Sequence, residues 1–194
     1  MQNSVYKTKK ITPWFVISTT IKCLLLAFVI TIVVAFAFGF RLLNVVSASM
    51  TPTININDVV VMRPVRTQRS YNNIRIGDIV TFRSGTVNVT HRVIGFLEST
   101  GEIITAPEAV FILTGPQGIG TVNTIPNVIT IQDENGNNVS QPIATDGTIS
   151  PDRVVGVVMF HIPAMGNVLN FINNNMIAVI IIAVLFVLVI MFLF

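Results

Sequence analysis

Cysteine and histidine are scarce in this chain of 194 residues. Cys23 is the only cysteine, which excludes an intramolecular disulfide and a metal site built from cysteines. His91 and His161 are the only histidines, and two are too few for most zinc sites. The sequence therefore predicts no bound metal.

Charged side chains are also rare: they make up 11% of the residues, whereas hydrophobic residues make up 52%. The formal net charge of +3 does not come from one basic face, because the lysines lie near the N-terminus and the arginines are scattered from Arg41 to Arg153. Aromatic residues do not alternate with these cations as they do on nucleic-acid-binding surfaces. The sequence therefore predicts no nucleic-acid partner. The basic residues are better explained as the charges that set the orientation of the chain in a membrane.

The first long uncharged run extends from Cys23 to Phe40, close to the roughly 20 residues of a transmembrane helix. The basic residues 1–22 favour a cytoplasmic N-terminus. A cleaved signal peptide is the alternative, because Ala35-Phe36-Ala37 has the small-x-small pattern of a cleavage site. Signal peptides usually have an apolar core of about 7–15 residues, so the longer run predicts a retained span with Arg41 and the following chain outside.

The second uncharged run, residues 176–194, has no polar stripe of the kind that a buried soluble helix carries. It predicts a second transmembrane helix that returns the C-terminus to the cytoplasm. The predicted protein is therefore a multi-pass protein of the cell membrane with both termini inside.

Short runs rich in β-branched residues, separated by Gly, Pro, Asn and Ser, fill the region between the two spans. We predict strands at 58–62, 78–82, 90–96, 110–113, 128–131 and 154–160, with a hairpin turn at Asn135-Gly136. A short helix is predicted around Gly166 to Ile172. The predicted fold is a mainly β extracytoplasmic domain, residues 41–172, flanked by two transmembrane helices.

One serine lies close to the end of the first span. Ser49 follows the apolar run by about nine residues, and His91 lies about forty residues further along the chain. A serine hydroxyl needs a base to become a nucleophile, and neutral histidine is suited to that role. The alternative is structural: Ser49 caps a turn before Pro52, and His91 fills a half-buried strand position. Residue type alone leaves both interpretations open.

Three motifs follow the first span in a fixed order: Ser47-Ala48-Ser49-Met50-Thr51-Pro52-Thr53, Ile76-Gly77-Asp78-Ile79-Val80 and Thr90-His91-Arg92-Val93-Ile94. In this order they resemble the signal peptidase I family, peptidase S26. The resemblance is to its endoplasmic-reticulum, archaeal and SipW-like branch, in which a histidine replaces the bacterial lysine base. It covers about residues 40–160, and the segment 162–166 is similar to the family's closing strand and turn.

The resemblance implies a role for each matching residue. Ser49 is the expected nucleophile and His91 the general base that later protonates the leaving amine. The backbone N–H of Ser49 and the hydroxyl of Ser47 are expected to bind the oxyanion. Asp78 is expected to be a structural residue near the site. His161 is not part of these motifs, and its position just before Ile162-Pro163 and the second span predicts an interfacial side chain. No cofactor is implied.

The residue that orients the imidazole is the point where the sequence departs from the family. The family carries a Thr-Lys-Gly-Asp-like element after the histidine strand, whereas the corresponding stretch here, residues 111–118, has no acid. Asp133, Asp146 and Asp152 are the candidate orienting acids. Two alternatives remain: a backbone carbonyl orients the imidazole in place of an acid, or the enzyme is impaired.

The resemblance implies a membrane-bound serine endopeptidase that removes signal peptides from exported preproteins on the outer face of the membrane. Its expected partners are preprotein signal peptides, the lipid bilayer and the secretion translocon. The alternative, favoured by the missing aspartate element, is a catalytically impaired, membrane-tethered β-domain that serves as a scaffold or assembly factor.

Overall fold

The computed structural model of the chain describes residues 13–132, 136–179, 181, 182 and 185. The chain divides into two compact units. One consists of Met1–Phe38 and Met176–Phe194, and the other is Gly39–Asn175. The second unit contains Ser49 and His91.

The first unit contains a helix of 25 residues, α1, Pro13–Ala37. Its segment Pro13–Thr31 has a mean hydropathy of 2.0 and is, among the described residues, the one helix long and apolar enough to cross a membrane. The helix begins ten residues before the predicted Cys23, because polar residues in its first half do not interrupt it. Thr19 and Thr20, for example, each donate a side-chain hydrogen bond to the carbonyl four residues earlier. A signal sequence would have the same length and composition.

The predicted second span, residues 176–194, lies mostly outside the described residues. Residues 176–179, 181, 182 and 185 are described, and all of them are helical. The second transmembrane helix therefore stays a prediction.

The second unit is built mainly of strands, as the β-branched runs predict. In chain order they are β1 (Arg41–Asn44), β2 (Val59–Pro64), β3 (Ile79–Ser84), β4 (Val87–Leu97), β5 (Ile103–Ala106), β6 (Gly120–Val122), β7 (Val128–Gln132), β8 (Asn138–Pro142), β9 (Thr148–Ile149) and β10 (Val154–Ile162). The helices are α2 (Gln68–Asn72), α3 (Glu108–Thr114) and α4 (Gly166–Asn174). The helix predicted around Gly166 is confirmed by α4.

Eight of the described strands form one sheet in the order β1-β2-β10-β3-β4-β5-β9, with β6 pairing parallel to β4. The pairs along this order are antiparallel. β7 and β8 form a separate antiparallel hairpin, as the Asn135-Gly136 signal predicts. Residues 133–135, and with them Asn135 of the predicted turn, lie outside the described residues.

The longest described strand, β4, is irregular in its second half. Its register with β5 shifts between Val93 and Gly95, and Gly95 also pairs with β6 at Gly120. A Cβ atom on Gly95 would lie 2.5 Å from the carbonyl oxygen of Gly120. Only glycine allows so close an approach of two backbones.

The prediction of a strand at residues 110–113 is wrong, because these residues belong to α3. Pro107 precedes the helix and Glu108 stands in its first turn, both of which favour a helix start. Val110 packs in a buried cluster with Ile94 and Ile104. A run of four apolar residues is too short for its hydrophobic periodicity to distinguish a helix from a strand. Its conformation therefore depends on how it packs against the sheet.

The buried side chains of the described residues form three clusters, and one of them supports the chain around Ser49. The largest contains Val80, Phe82 and Val93 from the middle of the sheet. The cluster around Ser49 consists of Met50, Ile54 and Val60. Burial of these apolar side chains, at about 25 cal/mol per Å², fixes the segment that follows β1 against the sheet.

Candidate active site

Ser49 is held at the surface by the buried residues that follow it. Met50 is 2% exposed and Ile54 1% exposed, and the N–H of Ile54 donates to the carbonyl of Met50 at 2.8 Å. Ser49 itself is half-buried. Its Oγ lies 3.2 Å from the Oγ of Ser47, within hydrogen-bond distance. The two hydroxyls of the first motif are therefore in contact.

His91 lies in the middle of β4, opposite Val80 of β3. It is 8% exposed, and its ring packs at a tilt against that of Phe82, with 6.4 Å between the centroids. Nδ1 of His91 lies 2.7 Å from Oδ2 of Asp146. Because an ionised carboxylate only accepts hydrogen bonds, this contact places the proton on Nδ1 and leaves Nε2 as the acceptor.

Asp146 comes from the segment before β9, 55 residues from His91 in the sequence. Two bonds to one residue of β5 fix its position. Its N–H donates to the carbonyl of Thr105 at 2.9 Å, and the Thr105 hydroxyl donates to Oδ2 at 2.8 Å. Thr105 is fully buried, so the carboxylate is held by a rigid part of the sheet.

Ser47, Ser49 and His91 line one cavity of about 530 Å³. Its walls are mostly apolar and come from the segment around β1, from β2 and from the first half of β4: Leu43, Val45, Val46, Ile54, Val60, Val87 and Val89. Among the described residues, the Ser49 hydroxyl bonds to Ser47 and not to His91. In sites without substrate, the bond between nucleophile and base often forms only in the substrate complex.

Of the other two candidate acids, Asp152 makes no bond to His91 in the described structure. Asp152 lies in the turn before β10 and lines a different cavity, together with Arg66 and Tyr71. Asp133 lies outside the described residues. Residues 111–118, which have no acid, form the end of α3 and the loop that follows it.

Asp78 fixes the start of β3 next to the histidine strand. Its Oδ2 accepts a hydrogen bond from the N–H of Arg75, which closes the turn before β3. Its carbonyl accepts one from the N–H of Val93 at 2.8 Å, two residues beyond His91. Both bonds are structural in character.

His161 lies near the buried Asp58 and makes no bond to Asp146 in the described structure. Its Nε2 is 3.8 Å from Oδ2 of Asp58. The N–H of Asn55 donates to this carboxylate and is the main cause that lowers the pKa of Asp58; burial opposes it, and the N–H of Ala164 and the charge of His161 lower the pKa further. Asp58 thereby ties the turn after Ser49 to the turn after β10.

Sequence reasoning missed a buried ion pair behind Ser49. Arg92 binds Glu108 through Nε and Nη2, each at 2.7 Å, in a bidentate arrangement. Burial would raise the pKa of Glu108, but hydrogen bonds from Arg92 and Thr53, with the charge of Arg92, hold it below its usual value. Alternation along β4 could have placed Arg92 on the face opposite His91. No sequence signal pairs it with Glu108.

The described residues contain no group of three or more His, Cys, Asp or Glu side chains that could hold a metal ion. The chemistry available in the cavity is that of a hydroxyl, an imidazole and a carboxylate. In this arrangement a carboxylate can hold the imidazole of His91 in one orientation, and Ser49 lines the same cavity as that imidazole.

Comparison with known proteins gives one family. The model of a family described as signal peptidase, peptidase S26, matches residues 17–112. This range contains Ser49 and His91 and ends before Asp146. No curated protein matches the chain.

Proposed function

Because the chain belongs to the signal peptidase family, peptidase S26, we propose that it is a membrane-bound serine endopeptidase of the Ser/His branch, with Ser49 as nucleophile and His91 as general base. Its substrates are signal peptides of exported preproteins. The observation that carries this proposal is the 2.7 Å contact of His91 with Asp146, in the cavity that Ser49 also lines.

The proposed reaction begins with attack of the Ser49 Oγ on the scissile carbonyl carbon. Nε2 of His91 takes the proton of the hydroxyl, and Asp146 stabilises the imidazolium that forms. The proton then passes to the leaving amine, the C–N bond breaks, and water hydrolyses the Ser49 ester by the same route.

The oxyanion of the tetrahedral intermediate needs donors close to Ser49. The N–H of Ser49 donates to no other group among the described residues, and the hydroxyl of Ser47 lies 3.2 Å from Oγ. These two groups are the proposed oxyanion donors. One such donor contributes about 10²–10³-fold to the rate in serine proteases.

Anchoring supports the choice of substrate. The apolar helix α1 ends at Ala37, about twelve residues before Ser49. A membrane-held serine meets substrates that are themselves membrane-bound at a raised effective concentration. The proposed location is the outer face of the cell membrane, with the bilayer and the secretion translocon as partners.

The scaffold alternative depended on the missing aspartate element. Asp146 offers His91 a carboxylate partner from another part of the chain, which removes the main argument for an impaired enzyme. The peptidase is therefore the function that the geometry supports best.

The test is processing of a preprotein by the full chain in detergent micelles. We expect Ser49→Ala and His91→Ala to lower the rate of signal-peptide removal on the order of 10³-fold or more, because members of such a unit act together. Ser84→Ala, at an exposed serine of β3, and His161→Ala are the matched controls and should process at the wild-type rate. Wild-type processing by Ser49→Ala would refute the proposal.

A further inference from the structure

A buried carboxylate lies directly behind the turn that carries Ser49. Glu108 is 4% exposed and belongs to the first turn of α3. Its Oε1 accepts a hydrogen bond from the hydroxyl of Thr53 at 2.6 Å. A hydroxyl bound to an ionised carboxylate forms a short bond, about twice as strong as one between neutral groups.

The backbone of the same residue holds the other end of the turn. The N–H of Glu108 donates to the carbonyl of Ser49 at 2.9 Å. The turn from Ser49 to Thr53 is thus fixed at both ends by one residue, through its N–H and through its side chain. This carbonyl belongs to the nucleophile itself, so a shift of Glu108 is transmitted to Ser49.

Glu108 is also joined to the strand that carries His91. Arg92, the next residue of β4, binds both carboxylate oxygens of Glu108. The guanidinium is fixed in turn, because Nη1 donates to the carbonyl of Gly77 at 2.7 Å and the group stacks 4.7 Å above the ring of Phe111. Neighbouring side chains of a strand point to opposite faces, so Arg92 holds this part of β4 from behind the cavity.

We infer that Glu108 is a positioning residue, which sets the place of the Ser49 turn relative to the His91 strand through Thr53 on one side and Arg92 on the other. The inference rests on the proposed function, since it assigns a role in bringing that nucleophile and that base together. Thr53 is the link that tests it, because it is exposed and binds only to the carboxylate among the described residues.

The position of a nucleophile matters at sub-ångström precision. A misplacement of about 1 Å, caused by a change away from the reacting atoms, can lower a rate 10²-fold. Without the bond to Glu108 the Thr53 end of the turn is held only by its neighbours, and Ser49 samples more positions. Substrate contacts at the cavity walls stay in place, so the loss falls on kcat and leaves KM unchanged.

The experiment compares Thr53→Val with Thr53→Ser in the full chain, on a preprotein substrate in micelles. Valine keeps the shape of threonine and removes the hydroxyl, whereas serine keeps the hydroxyl. We expect Thr53→Val to lower kcat on the order of ten-fold or more, with unchanged KM and the fold retained. Thr53→Ser should restore kcat to near the wild-type value. Thr121→Val, at an exposed threonine of β6, is the matched control and should be neutral.

A second measurement does not depend on activity. Hydrogen–deuterium exchange measures the exchange rate of the Glu108 amide, which donates to the Ser49 carbonyl. We expect this amide to exchange faster in Thr53→Val than in the wild type, in Thr53→Ser and in Thr121→Val. Equal exchange in all four proteins would show that the hydroxyl does not hold the turn.

The outcomes separate this inference from the proposed function. Failure of the proposed function appears as equal processing by the wild type and Ser49→Ala. Failure of the positioning role alone appears as a loss in Ser49→Ala with no change of kcat in Thr53→Val. A raised KM at constant kcat would make Thr53 a substrate contact instead, and equal losses in Thr53→Val and Thr53→Ser would exclude the hydroxyl as the cause.

Discussion

At the scale of single residues, one carboxylate oxygen of Asp146 contacts both the His91 ring and the Thr105 hydroxyl. Oδ2 of Asp146 lies 2.7 Å from Nδ1 of His91 and accepts a hydrogen bond from the Thr105 hydroxyl at 2.8 Å. Thr105 therefore fixes the acid, and the acid fixes the ring. Among the described residues Nε2 of the imidazole has no hydrogen-bond partner, which the proposed role of His91 as base requires.

This arrangement predicts the effect of Asp146→Asn. The amide can donate to Nδ1 and so favour the wrong tautomer, in which Nε2 carries the proton and cannot act as base. We expect kcat to fall by about 10²–10⁴-fold in the preprotein assay, with the fold retained. Asp152→Asn is the control, because Asp152 lines another cavity. If the two variants lost activity equally, Asp146 would not be the orienting acid.

At the scale of elements, β4 joins the cavity to the structure behind it. His91 is directed to the cavity, and the next residue, Arg92, binds the buried Glu108 of α3. Asp78 binds the same strand through the N–H of Val93. A strand tied at three successive residues holds its histidine in one place.

The ion pair between these elements predicts how stability depends on pH. The pKa of Glu108 is lowered in the folded protein from an ordinary value of 4.5. Its ionised form therefore stabilises the fold above about pH 4.5, and this contribution is lost as the pH falls through the lowered pKa. At pH 7 we expect Glu108→Gln to reduce the free energy of unfolding by about 3 kcal/mol, as for a broken buried pair.

The measurement is unfolding of wild type and Glu108→Gln in micelles between pH 7 and pH 3. The difference in free energy should narrow as the pH falls below about 4.5, because Glu108 of the unfolded wild type then takes up a proton while the folded carboxylate stays ionised until the pH passes its lowered pKa. Glu98→Gln, at an exposed glutamate, should follow the wild type at every pH. A constant difference across this range would mean that the charge of Glu108 does not stabilise the fold.

At the scale of the whole molecule, the apolar helix and the β unit have different surfaces. Large apolar side chains such as Trp14, Leu24 and Phe28 are more than half exposed along α1. A soluble helix would bury such a stripe, whereas a membrane solvates it. The helix is suited to a bilayer by composition, and the proposed peptidase needs its β unit on the outer face.

Topology gives a prediction that can be read in intact cells. In a Cys23→Ala background, a single cysteine at Ser99→Cys lies in an exposed turn of the β unit. We expect a membrane-impermeant maleimide to label this cysteine from outside, because the basic residues ahead of α1 favour a cytoplasmic N-terminus. A cysteine at Lys7→Cys is the control and should react only after permeabilisation. The reverse pattern would place the β unit inside.

Features that depend on local composition and residue order could be predicted without the fold. An uncharged run predicts an apolar helix, and β-branched runs between turn residues predict β2, β3, β4, β7 and β10. The three motifs indicate the peptidase family and single out Ser49 and His91, which lie in one cavity. These signals are carried by neighbouring residues, so they can be read without the fold.

Contacts between groups that are distant in the sequence could be identified only in the folded chain. Asp146 reaches His91 across 55 residues, and Asp133 and Asp152 were equal candidates in the sequence. The apolar run at residues 110–113 became a helix because it packs on the sheet, and its first turn supplies the acid behind Ser49. Such contacts depend on strand order and on the paths of the loops. A hydrogen bond acts over about 3 Å, and a bond between distant residues corresponds to no repeating pattern in the sequence.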